Sequence, residues 1–159
     1  MPDSSIILSV LRRLLLALFV AGVVITGTEL LLLEHTEEWQ IAPLVLLALS
    51  LLVLGWHSMS KSRTSIRTFQ AVMLLFMIAG ILGVVLHYNG NVEFELEMYP
   101  SLSGIELFSK AMHGAFPALA PSAMIHLGLL GFAYTFRHPL LTNSNKEQSF
   151  SKEVSHEPK

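Results

Sequence analysis

The sequence predicts an all-α integral membrane protein: a four-transmembrane-helix bundle with both termini cytoplasmic and a 25-residue outer loop holding a short strand and an interfacial helix. Three observations predict it. Hydrophobic residues make up 52% of the chain and charged residues only 14%, where a typical soluble domain has about 25% charged. The apolar residues gather in four long, non-alternating runs, and only helices satisfy the backbone across a bilayer in such runs. The basic residues segregate to one side of those runs.

The runs cover 14–33, 39–57, 69–88 and 114–136, with lengths of 20, 19, 20 and 23. A hydrocarbon core of ~30 Å takes ~20 helical residues, so each is long enough. The first is read as a retained helix rather than a signal peptide. It runs on through Leu30, Leu31, Leu32 and Leu33 with no small-x-small cleavage site, well beyond a signal h-region of roughly 7–15 residues. Residues 1–13 precede it as a cytoplasmic extension whose Ile6, Ile7, Val10 and Leu11 suit the inner leaflet. Residues 142–159 are rich in Ser, Asn, Glu and Lys, a composition that predicts a disordered cytoplasmic tail.

Orientation follows from the cations. Arg12 and Arg13 precede the first run, Lys61, Arg63 and Arg67 separate the second from the third, and Arg137, Lys146, Lys152 and Lys159 follow the fourth. Only Lys110 lies on the other side, among Glu34, Glu37, Glu38, Glu93, Glu95, Glu97 and Glu106. The basic side is therefore cytoplasmic, in a membrane read as a bacterial cytoplasmic membrane. Trp39, Trp56, Tyr88 and Tyr134 fall near run ends, where amphipathic rings prefer the interface.

The outer loop, 89–113, carries its own pattern. Asn89, Gly90 and Asn91 read as a turn. Val92, Phe94, Leu96 and Met98 then alternate with Glu93, Glu95 and Glu97, which predicts a strand with one apolar and one acidic face, stopped by Pro100. Such a lone strand is solvated along the membrane surface, paired with a second chain, or uses its acidic face as a cation site. Ser103 followed by Glu106 fits a capping box, so a helix is expected over 104–113 with Ile105, Phe108 and Met112 on its apolar face.

Two ionisable residues lie within the runs, Glu29 and His126. Charged groups there cost ~2.5–3.5 kcal/mol on insertion scales and normally face protein or water. Gly114, Ala118, Ser122 and His126 recur every four residues, a small-residue stripe that predicts His126 against a neighbouring helix, with Thr26 or Ser50 as its partner. Gly80, Gly83 and His87 form a similar stripe on the third run. At the outer rim, His35, His87 and His113, with Glu34 and Glu38, offer imidazole and carboxylate ligands suited to a divalent metal, and two histidines on different helices suit haem. Both remain alternatives, and no resident cofactor is expected.

Several classes are excluded. A net charge of −2 lacks the basic excess of a nucleic-acid binder. With no cysteine there is no disulfide, thiolate metal site or cysteine nucleophile. No phosphate-binding loop or nucleophile elbow is present. Three functions remain in view. The first is a non-catalytic subunit or accessory of a larger membrane assembly, with a protein partner or a second copy beside it. The second is a small transporter or ion-conducting protein using Glu29 and His126. The third is a metal- or haem-binding redox protein using the outer histidines.

Overall fold

The computed structural model describes residues 4–141. The tail expected over 142–159 lies outside the described residues, as do residues 1–3. Among the described residues the helices are α1 (Ser4–Leu32), α2 (Ile41–Ser60), α3 (Arg63–Met98), α4 (Gly104–Met112) and α5 (Ser122–Thr135), with a 3-10 turn at Glu38–Gln40 before α2.

Three segments are long and apolar enough to cross a membrane: Ile6–Leu32, Glu38–Ser60 and Arg63–Met98. The chain is thus an all-helical bundle with three candidate membrane-spanning helices, and no β-strand occurs among the described residues. Both results correct the sequence reading. The fourth run, 114–136, is not one helix. Its helical part is the 14 residues of α5, ~21 Å long, short of the ~30 Å core. Pro117 and Pro121 are the cause, since each lacks a backbone donor and disfavours a helical residue before it. The chain passes them in tight turns, with Ala120 N donating to Pro117 O and Ser122 N to Leu119 O, before α5 begins.

The strand expected over Val92, Phe94, Leu96 and Met98 is instead the last two turns or so of α3. Glu, Leu and Met are strong helix formers, and an α-helix already running through 36 residues extends at the cost of one residue at a time. The period-two pattern is also a poor guide to burial here, because Asn91, Glu95 and Leu96 turn inward while Phe94 and Met98 are exposed. The turn read at Asn89, Gly90 and Asn91 is likewise helical.

The other ends follow local chemistry. Lys61, at φ 43°, closes α2 in the left-handed region with its N–H on His57 O. Ser62 caps α3, its side chain accepting from Ser65 N. At α4, Ser103 takes the extended backbone of a capping residue, but its side chain makes no cap bond.

α3 is the central element. Its buried Ile66, Phe69, Met73 and Phe76 meet Phe19 of α1 and Tyr134 of α5, with Phe19 and Phe69 edge-to-face at 5.3 Å and Phe69 and Tyr134 at 6.0 Å. α5 runs antiparallel to it along a seam of small residues. A Cβ on Gly128 would sit 2.8 Å from Met73 O, and one on Gly80 2.9 Å from Ile125 N. Glycine therefore sets the backbone approach at both positions. The segment before α5 continues the seam outward, with Gly83 against Pro121 and Gly114 against Asn91. The seam thus sets Gly80 and Gly83 against Ile125 and Pro121, and Gly128 and Gly131 against Met73 and its neighbours, while of the Gly114, Ala118, Ser122, His126 stripe Gly114 and Ala118 pack inward and His126 is exposed. The two prolines break the helical phase that the stripe assumes. Outside this core the helices are covered by exposed Leu, Ile and Val, the surface a lipid bilayer solvates.

Candidate functional site

Polar side chains collect in three places. The first is the end of the bundle that carries the cations. His57 Nδ1 and Ser65 Oγ are 2.7 Å apart, and the Ser65 hydroxyl donates to Ser62 O at 2.8 Å. A hydroxyl has one proton, so holding both bonds requires His57 to donate from Nδ1. This histidine therefore does not act as a base toward Ser65. The His138 ring stands edge-on to His57 at 5.6 Å and lies 6.0 Å from Tyr134. Nearby, Gln70 Nε2 donates to Thr135 Oγ1 at 3.1 Å, and Arg12 Nη2 donates to Arg137 O at 2.7 Å. The proton affinity of His138 is held below the usual histidine range, first by burial and then by His57 and Arg12. The sequence signal for this network was weak, because its members are scattered over four segments.

The second place is a clamp built on Asn91, fully buried in the outer part of α3. Its Nδ2 donates to Ala111 O at 2.8 Å and to Phe116 O at 2.7 Å, and its Oδ1 accepts from Phe116 N at 2.9 Å. One side chain thus fixes α4 and the chain leading to α5. Beside it, His87 Nδ1 donates to Pro117 O at 3.1 Å. Extending the Gly80, Gly83, His87 stripe by one more turn reaches Asn91, which is the signal that finds it.

The third place is the outside of the bundle, where Glu29 and His126 are both exposed. The expected pairing of His126 with Thr26 or Ser50 is absent. His126 Nδ1 is bonded at 2.8 Å to Ser122 O of its own helix. Ser50 is buried and donates to Leu47 O, and Thr26 is half-buried on α1.

Of the rim residues, His35 and His87 come together with ring centroids 6.3 Å apart. His113 turns to Ser109 O of its own helix, and Glu34 and Glu38 are exposed. Among the described residues no three His, Asp or Glu side chains gather around one point in the manner of a metal site. The proton affinity of His35 is lowered by burial and then by His87. Val92 and Leu96 are half-buried along α3, while Phe94 and Met98 are exposed, so the four residues expected to share one strand face are spread around a helix.

The inner network and the Asn91 clamp are directed at the protein's own backbone and side chains. Away from the charged residues at the two ends, Glu29 and the ring of His126 face outward from apolar helices. No protein-family model matches this chain, and neither any curated protein nor any solved structure matches it.

Proposed function

We propose that this small multi-pass membrane protein is a non-catalytic subunit of a larger membrane assembly, set in a bacterial cytoplasmic membrane with its basic end toward the cytoplasm. The observation that carries the reading is the outward position of Glu29 and His126 on apolar helices. Ionisable side chains at membrane depth normally face protein or water, so a chain that exposes two of them calls for a neighbour. The orientation is supported by the ends that the fold brings together. Arg12 meets Arg137, and Gln70, one turn from Arg67, meets Thr135, so Arg12, Arg63, Arg67 and Arg137 share an end. Glu93, Glu97 and Glu106 stand exposed at the other.

The transporter reading has less support. Glu29 and His126 sit on outer surfaces of two helices rather than along an interior path.

Two measurements test the proposal. Native membranes solubilised in a mild detergent should yield the chain in a particle larger than its monomer and of fixed stoichiometry, and a chain that migrates only as a monomer defeats the subunit reading. A reporter active only in the cytoplasm should work at Lys61 and fail at Glu95; activity at Glu95 reverses the orientation.

A further inference from the structure

We infer that the basic end of the bundle holds an anionic phospholipid by its phosphate, with Arg12 and Arg63 as the two principal contacts. The inference goes beyond the subunit reading and does not depend on it.

The depth is set by α3. Its apolar run 69–88 fills a hydrocarbon core of ~30 Å. Ser65 lies ~6 Å outside that run, in the layer that lipid headgroups occupy. Arg12 comes to the same layer. Phe19 meets both Phe69 and Phe76, and Arg12 lies two turns inward from Phe19 on the same face of α1. The Arg12 guanidinium reaches Arg137 O across the bundle. Arg63 likewise lies two turns from Gln70, on the face of α3 that bonds Thr135. Both arginines therefore face the chain leaving α5, where His138 stands against His57 and His57 bonds Ser65.

The charge there is one-sided. Arg12, Arg13, Lys61, Arg63, Arg67 and Arg137 gather at this end, and every carboxylate among the described residues belongs to 29–38 or 93–106. Arg63 is half-buried, and its Nε is enclosed with no acceptor. Among the described residues nothing takes a hydrogen bond from its guanidinium. An enclosed cation without a counter-charge is costly, so the fold leaves Arg63 short of an anion. The phosphate of a lipid is the anion that this layer supplies. A guanidinium fork matches two phosphate oxygens, and a basic pocket between membrane helices suits an anionic headgroup. The acyl chains would lie along Leu14 and Leu18, both exposed on α1 just inside the layer of Arg12.

The test is native mass spectrometry of the full chain released from detergent, titrated with phosphatidylglycerol and, in parallel, with phosphatidylcholine of the same acyl chains. Phosphatidylglycerol should bind about tenfold or more tightly than phosphatidylcholine. Arg12→Gln and Arg63→Gln should each weaken it about fivefold, the worth of one cation beside an anionic lipid surface. Lys110→Gln, at the acidic end, should leave binding unchanged. Equal affinity for the two lipids overturns the inference without recourse to any variant. So does undiminished binding by both arginine variants, once their unfolding midpoints show that they fold. Excess inorganic phosphate should not displace the lipid; displacement makes free phosphate the ligand and overturns the lipid assignment. Asp3, Glu147, Glu153 and Glu157 lie outside the described residues. Replacing all four in the full chain by Asn or Gln should raise lipid affinity by less than about twofold, far below the summed effect of several surface charges. A larger gain makes the chain's own termini the occupant and overturns the inference.

Discussion

The two ends of the bundle are fastened in opposite ways. At the basic end, separate bonds join separate pairs of segments: Arg12 to Arg137, Gln70 to Thr135 and His57 to Ser65. At the acidic end, one buried amide, Asn91, makes three of the bonds that hold α4 and the chain entering α5, with His87 adding one to Pro117 O. The first arrangement is redundant, and losing one bond leaves the others. The second is concentrated, so one substitution can release a whole segment. The difference predicts that the acidic end opens first and locally, while the basic end yields only with the bundle.

The largest effect should come from Asn91→Leu. It leaves the buried Ala111 carbonyl and both polar groups of Phe116 without their partner, a loss of ~2 kcal/mol or more in local stability. Hydrogen exchange should quicken across 104–121 and remain slow around Phe69 and Phe76; uniform acceleration would erase the contrast between the ends. Next is Gly128→Val, which pushes a side chain against the Met73 carbonyl in the inner half of the seam. Overpacking of this kind costs about 1–3 kcal/mol. Here the loss should appear in the global unfolding midpoint in detergent rather than in any one segment.

A smaller effect is expected from pH, and it acts at both ends. His138 at the basic end and His35 at the acidic end have lowered proton affinity in the folded protein. Each contributes stability that is complete above the unfolded value of 6.5 and is lost as pH falls through 6.5 toward the folded value. Between pH 7.5 and 5 the unfolding midpoint should therefore drop, and His138→Gln and His35→Gln should each flatten part of that slope. A midpoint that rises on acidification contradicts the sign. Smallest of all is Ser103→Ala, which removes a side chain that makes no cap bond and should change stability by under ~0.5 kcal/mol. A loss of ~1 kcal/mol, the usual worth of such a cap, would show that the bond forms after all.

The sequence pattern located three of its four apolar runs as membrane-length helices because length and hydropathy are properties of a segment on its own, but the fourth, 114–136, is not one. It failed where two signals competed. Val92, Phe94, Leu96 and Met98 alternate as a strand would, but their glutamates favour helix, and α3 was already in progress. The small-residue stripe ending in His126 presumed an unbroken helix through Pro117 and Pro121, and the turns at those prolines rotate His126 outward. The capping box at Ser103 and Glu106 marked the start of α4 correctly but not the bond. The inner network and the Asn91 clamp depend on which segments meet, and a linear pattern does not carry that except through the glycine stripe that points to Asn91.

α3 has one further consequence. Its 36 residues make an uninterrupted rod of ~54 Å, longer than a bilayer with its headgroups at ~40–45 Å. A rod without a joint is a lever. A tilt of ~5° about its middle would swing Arg63 and Met98 in opposite directions by ~2 Å each, given a rise of 1.5 Å per residue. Whatever grips the acidic tip is thereby mechanically geared to the loop between Lys61 and Arg63 on the opposite side of the membrane.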